Sequence, residues 1–212
     1  MKSEDIVALN QRRDHYDNKI SENEFACLDY FLDGVPIDEA SYDRMIRQPV
    51  IQRLELEPYH RVLDVGCGTG LFLNYYESIG CKVFGTDISK NLLSRYKGKA
   101  KTYVCAAHEM PFEPRSFDRI SMVSVAVLFP SFDYFKIVID SCINLLNEDG
   151  ILIVGDQIVS TEKFKTQYLA IDTLELIQYL EYKGHPYSIC AHNREKRVFS
   201  KRKDFLIYRD KV

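Results

Sequence analysis

The segment Val62-Leu63-Asp64-Val65-Gly66-Cys67-Gly68-Thr69-Gly70 constrains the fold of this chain more than any other. A short strand-like run passes directly into three glycines at alternate positions, and an amphipathic stretch follows at 70–78. A turn of this kind needs residues without a Cβ, because the backbone must bend tightly and leave room for a ligand to approach it. Strand, glycine turn and helix form the first half of a βαβ unit, so the rest of the chain must supply partners for a parallel sheet.

The sequence beyond residue 60 meets that requirement. Apolar runs at 62–65, 82–86, 101–105, 119–125 and 151–154 read as strands, and 70–78, 89–96 and 132–146 read as helices. Gly80 and Gly98 stand where the first two helices should close in left-handed caps. Such alternation predicts right-handed crossovers and an α/β, Rossmann-like, doubly wound and mostly parallel sheet. A long helix over 163–182, closed by Gly184, precedes strands at 187–192 and 204–209. These two are expected to pair as a C-terminal antiparallel hairpin and bring the sheet to seven strands. The first 58 residues read as helices only. Ser21 and Glu24 make a capping box ahead of Phe25, Leu28, Phe31 and Leu32, with Gly34 as the stop. A second helical stretch, 38–54, breaks at Pro49, which opens a new short helix after Gln48. We therefore expect one domain over 1–212, a helical cap (1–58) on a core (59–212), long enough to bury a substantial interior.

A second residue sharpens the reading. Asp87 lies seventeen positions past Gly70, at the end of Val83-Phe84-Gly85-Thr86-Asp87, where a carboxylate can accept from both hydroxyls of a ribose. Dinucleotide loops use G-x-G-x-x-G with a pyrophosphate on the helix N-terminus. Here the spacing is G-x-G-x-G, and Asp64, two residues before Gly66, disfavours a pyrophosphate. An acid there suits a ligand with a cationic amino-acid end, as in S-adenosylmethionine (SAM).

On these residues the chain resembles the class I SAM-dependent methyltransferases, in particular the small-molecule, ubiquinone-biosynthesis-type group. The likeness runs from about Arg61 to Asp156. It includes Glu109-Met110-Pro111-Phe112 ahead of Ser116-Phe117-Asp118, similar to the family's LPF…SFD stretch, and the turn at 144–150, similar to its LKPGG turn. Where many relatives carry an aspartate for the adenine amino group, this chain has Ala106. The resemblance implies that Gly66, Cys67 and Gly68, with Asp64 and Gly70 of the same loop, carry the methionine part. It assigns Asp87 to the ribose, Ile88 to the adenine face, and Ala107 and His108 to adenine recognition through their backbone. Ser124, with Val125, falls near the sulfonium, and Arg47 near the cofactor carboxylate. Tyr42, Phe129 and Asp156 are the expected walls of the acceptor pocket, roofed by the N-terminal helices.

Composition narrows the rest. With 28 Lys+Arg against 31 Asp+Glu, the net charge of −3 excludes a strongly polybasic or acidic disordered protein. The six cysteines are scattered, the closest pair 14 apart, which argues against zinc and disulfides and for reduced thiols in a cytoplasmic setting. No metal site is expected. No run approaches a membrane span, and the N-terminus lacks the apolar core of a signal peptide. Arg194, Lys196, Arg197, Lys201, Arg202 and Lys203 crowd the last turn, with Glu195 opposing them. That 194–203 loop reads as a solvated hairpin turn, a grip for a small anion, or a nucleic-acid contact. No histidine stands out as a catalytic base. The expected function is methyl transfer from SAM to an O or N atom of a small molecule. The alternatives are an RNA (tRNA) methyltransferase using the basic loop, and a non-catalytic SAM-binding protein.

Overall fold

The structure, a computed structural model, describes residues 1–18, 31–32, 35–36, 38–158, 169–191 and 202–209. At its centre is a seven-stranded sheet of order β5-β4-β3-β6-β7-β9-β8. The strands are β3 (Arg61–Val65), β4 (Lys82–Asp87), β5 (Lys101–Val104), β6 (Phe117–Val123), β7 (Leu146–Ile158), β8 (Tyr187–Ala191) and β9 (Arg202–Tyr208). The first five run parallel, while β9 pairs antiparallel with both β7 and β8. The chain winds outward from β3 through β4 to β5, then crosses back to β6 on the other side. The switch point therefore lies between β3 and β6, where ligands of open α/β sheets bind.

Alternation along the strands feeds two apolar layers. Leu63 and Val65 pack with Ile120, Phe135 and Phe205 on one face, and Val62 packs with Leu54, Tyr76 and Ile153 on the other. Helix α4 (Leu71–Ile79) buries Phe72, Leu73 and Tyr76, and Gly80 closes it with φ of 95°. Helix α6 (Phe132–Leu145) is capped by the Ser131 hydroxyl, which accepts from the Tyr134 N–H at 3.1 Å. Its buried residues Phe135, Val138, Ile139 and Cys142 recur at helical spacing. Truncating one of the larger of them to Ala should cost about 2–5 kcal/mol.

Several elements differ from the expectation. Helix α7 is Thr173–Lys183, and residues 169–172, placed inside it by the sequence pattern, are not helical; the Asp172 carboxylate caps its start on the N–H groups of Leu174 and Glu175. Residues 159–168 and the capping box at Ser21 and Glu24 lie outside the described residues. Phe31 and Leu32, expected on a helix, form β1 (Phe31–Leu32) and pair with β2 (Val35–Pro36). Val35 precedes a proline, a position pushed toward extended backbone. The stretch before Pro49 is not broken there. Helix α2 (Glu39–Tyr42) continues through a π-helical turn, Asp43–Arg47, into α3 (Gln48–Leu54). The Gln48 N–H reaches Asp43 O, so the helix widens by one residue beside a proline that has no N–H to give. Helix α5 (Lys90–Leu93) is a single turn ending well before Gly98, which therefore does not cap it. Its chain turns early so that the Tyr96 hydroxyl meets Glu77.

Among the described residues no helix is long and apolar enough to cross a membrane, and Cys67, Cys81, Cys105, Cys142 and Cys190 are free thiols.

Candidate functional site

A mostly apolar cavity lies over the carboxyl ends of β3, β4 and β6, at the switch point. Its floor is the glycine loop. Gly66 and Cys67 donate their N–H groups to Thr86 O at 2.7 and 2.9 Å, which binds the loop to β4. Gly66 has φ of 72°, and a Cβ there would come within 2.4 Å of the Val125 side chain. Gly68, φ 55°, is different: a Cβ there would meet nothing within 4 Å and would project into open space. The loop and the acid are joined directly, since the Gly68 N–H donates to Asp87 Oδ2 and the Ser89 N–H to Oδ1, each at 2.8 Å. Asp87 is 8% exposed, and burial pushes its carboxyl up although both N–H groups favour the anion. Beside it, Thr86 lines the cavity with its Oγ1 buried and without a hydrogen-bond partner among the described residues.

The roof is α1 (Ser3–Asn18). Asp5, Leu9, Arg12 and Tyr16 share one face, and the last three line the cavity. Both ends of the helix are fastened. Near its start, Lys2 pairs with Asp133 at 3.0 Å and the Ser131 hydroxyl donates to Asp5 at 3.0 Å. Near its end, Asp17 accepts from the Ser89 hydroxyl at 2.6 Å and the Asn91 N–H at 3.1 Å. The Ser89 hydrogen bond, above all, holds the Asp17 carboxyl below its ordinary value.

A polar corner stands at the end of β6. The Ser124 hydroxyl donates to Asp156 Oδ2 at 2.8 Å, and Arg202 Nη1 donates to the same oxygen and to Asp156 O at 2.8 Å each. Behind them the Asp156 N–H donates to Asp204 Oδ1 at 2.7 Å, and Arg53 pairs with Asp204. Ser124 and Asp156 both have positive φ, 59° and 58°. The remaining wall is apolar, from Val127, Leu128 and Phe129.

Of the residues singled out from sequence, Gly66, Gly68, Asp87, Ile88, Ala107, Ser124 and Phe129 line this cavity together. Others stand one layer behind it. Asp64 is 3% exposed and turned to Ser121, whose hydroxyl donates to Oδ1 at 2.6 Å; burial pushes its carboxyl up to about 7. Cys67 is buried and its thiol is pushed well up by burial. Gly70 caps α4 with φ of 89°. His108 Nδ1 lies 3.0 Å from the hydroxyl of Tyr134, and Tyr134 is the one of the two that lines the cavity. Asp156 is fully buried behind Ser124 and Arg202. Tyr42 and Arg47 are placed elsewhere: Tyr42 is 2% exposed and packs edge-on to Phe72 in the opposite apolar layer. Arg47 pairs with Asp43 at 2.6 Å and lies over the Tyr75 ring. The roof thus comes from α1 and not from the helix before Pro49. Thr86, Tyr134 and the α1 residues are the contributors that sequence reasoning missed, while Arg202, named there only as part of the basic turn, also lines the cavity. Thr86 had a signal, a polar residue closing an apolar strand just before Asp87. Residues 192–201, most of the basic loop, lie outside the described residues. Among the described residues no three His, Cys, Asp or Glu side chains gather as a metal site.

Comparison with known proteins gives a consistent picture. Residues 63–154 match the family model described as a methyltransferase domain. The chain is 28% identical over 134 residues to the methyltransferase GfsG of Streptomyces halstedii, covering 58% of this chain and 46% of that protein. It is 32% identical over 142 residues to a probable non-canonical nonribosomal peptide synthetase, CymA, of Salinispora arenicola, covering 63% of this chain and 2% of that protein. The chain spans less than half the length of the curated relatives it matches. Its fold is similar to that of magnesium protoporphyrin IX methyltransferase from Synechocystis, solved with bound SAM, at a TM-score of 0.68. That likeness covers 96% of this chain and 97% of the other at 13% identity, and it speaks for the fold alone.

Proposed function

Since residues 63–154 match the methyltransferase domain family model and the sheet has the class I fold, we propose that this chain is a SAM-dependent methyltransferase acting on a small molecule. The observation that carries the reading is the bond from the Gly68 N–H to Asp87 Oδ2, which sets the glycine loop and the ribose-type acid around one cavity. The residues fit SAM on two counts: space stands open above Gly68, and a carboxylate lines the cavity at Asp87. When bound, SAM supplies a methyl group already activated on a sulfonium.

The chain's own residues then hold, orient and exclude. Gly66, Gly68 and Thr69 cradle the amino-acid part, Asp87 takes the ribose, and Ile88 and Ala107 enclose the base. Ser124 and Phe129 line the acceptor side, and α1 keeps water out from above. The enclosed apolar walls favour a small O- or N-bearing acceptor over a folded RNA, whose backbone needs an open cationic surface. Arg202, the described arginine at the edge of the basic loop, is turned to Asp156. The free thiols fit a cytoplasmic setting. Incubation with tritiated methyl-SAM and a fractionated metabolite extract tests the proposal. Label should appear in a low-mass acceptor and survive RNase treatment of the pool. RNase-sensitive label would support the RNA reading, and no label in any fraction would support a non-catalytic SAM-binding protein.

A further inference from the structure

We propose that the corner built by Ser124, Asp156 and Arg202 is an acceptor subsite that selects molecules presenting a hydroxyl or an amine on an apolar body; this rests on the methyltransferase reading above. Ser124 and Arg202 line the same cavity as Asp87 and the glycine loop, together with the apolar residues Val125, Val127 and Phe129.

The selectivity follows from where the protons are. A serine hydroxyl has one proton and two lone pairs. Ser124 commits its proton to Asp156 Oδ2 at 2.8 Å. The Asp156 carboxylate, held by Arg202 at 2.8 Å, has none to return. Ser124 therefore presents only lone pairs to the cavity, and the ligand atom beside it has to bring the hydrogen. An O–H or N–H does so. An ether, a thioether or a carboxylate would set lone pair against lone pair, with both groups out of water.

Among the described residues Arg202 faces Asp156 and Arg53 faces Asp204, so each carboxylate of the corner has an arginine beside it. The arrangement is also rigid. Ser124 and Asp156 are left-handed, a costly conformation for residues with a side chain. It is held by the Ser124 N–H on Gly155 O at 3.0 Å and the Asp156 N–H on Asp204 Oδ1 at 2.7 Å. The neighbouring wall of Val127, Leu128 and Phe129 offers the rest of the acceptor an apolar surface.

Four probes on one naphthalene body test this: 2-naphthol, 2-naphthylamine, 2-methoxynaphthalene and 2-naphthoate, titrated by fluorescence into protein saturated with S-adenosylhomocysteine. The naphthol and the amine should bind about 3–10-fold tighter than the methyl ether, the worth of one neutral hydrogen bond. Ser124→Ala, compared with the parent at saturating S-adenosylhomocysteine, should erase that preference. Asp156→Asn gives Ser124 a donor on its far side and should narrow or reverse the preference. A parent that binds ether and naphthol alike, prefers the naphthoate, or binds none of the four overturns the corner while leaving the methyltransferase reading intact. Failure to bind S-adenosylhomocysteine at all would overturn that reading, and the corner with it.

Discussion

Asp87→Ala separates the two things this carboxylate does. In the protein alone it accepts from the Gly68 and Ser89 N–H groups, each at 2.8 Å. In the complex its remaining lone pairs would take the ribose hydroxyls. Charge-assisted hydrogen bonds contribute about 1.5–3 kcal/mol net, so losing the ribose contact should weaken S-adenosylhomocysteine binding about 10–150-fold. The effect on stability should be smaller. Burial raises the Asp87 carboxyl, which means the two N–H bonds do not fully offset the cost of burying the anion. Removing it relieves that cost but leaves the Gly68 and Ser89 N–H groups without their acceptor. The net loss should stay within about 1–2 kcal/mol, or roughly 2–8 °C in a chain of this size. Calorimetry at pH 7.5 with a thermal melt of each variant reads both quantities. Asp87→Asn, which keeps one acceptor and the shape, should fall between parent and Ala. An Ala variant within threefold of the parent in affinity would refute the ribose assignment. An affinity loss matched by a collapse of the melting temperature would refute the separation of roles.

Three further outcomes follow from the same geometry. Thr86→Val removes a buried hydroxyl with no partner among the described residues, and should stabilise the free protein by about 1–2 kcal/mol in urea while leaving S-adenosylhomocysteine affinity near the parent value. Asp64 has its carboxyl raised to about 7 by burial, so between about pH 4 and 7 the unfolded chain has lost a proton that the folded one keeps. Folding stability should fall by about 1.4 kcal/mol per pH unit across that window, and Asp64→Asn should abolish this part of the slope, gaining most over the parent above pH 7. Tyr16→Ala on the roof should reduce cofactor affinity at least several-fold, whereas Arg47→Ala, which lies on the opposite layer, should leave it unchanged; equal losses would return the roof to the helix before Pro49.

What was legible in the sequence was what period and glycine encode. The five parallel strands, the C-terminal antiparallel pair, the turn at Gly66 to Gly70 and Asp87 at the end of β4 all follow from local patterns. The roof left no such trace. The cavity-facing side of α1 is Leu9, Arg12 and Tyr16, with no apolar stripe to mark a buried face. The helices around Pro49, expected to form the roof, instead turn Tyr42, Ile46, Val50 and Leu54 to the other layer against Val62 and Ile153. Asp64 was found as a residue but not in its orientation. Strand alternation turns it to Ser121 on β6, and that pairing needs the β3–β6 register to see. The Ser124 corner depends on three strands at once, with an irregularity between Val154 and Gln157 that brings Arg202 up to Asp156. A register shift across an antiparallel pair leaves no periodic signature in any one segment.

The most direct test of the account is a calorimetric titration of the unmodified protein with S-adenosylhomocysteine and, separately, with NAD. The glycine loop spaced G-x-G-x-G, closed onto Asp87, predicts one equivalent of S-adenosylhomocysteine bound and no heat from NAD. Binding of NAD, or silence with S-adenosylhomocysteine, would contradict it.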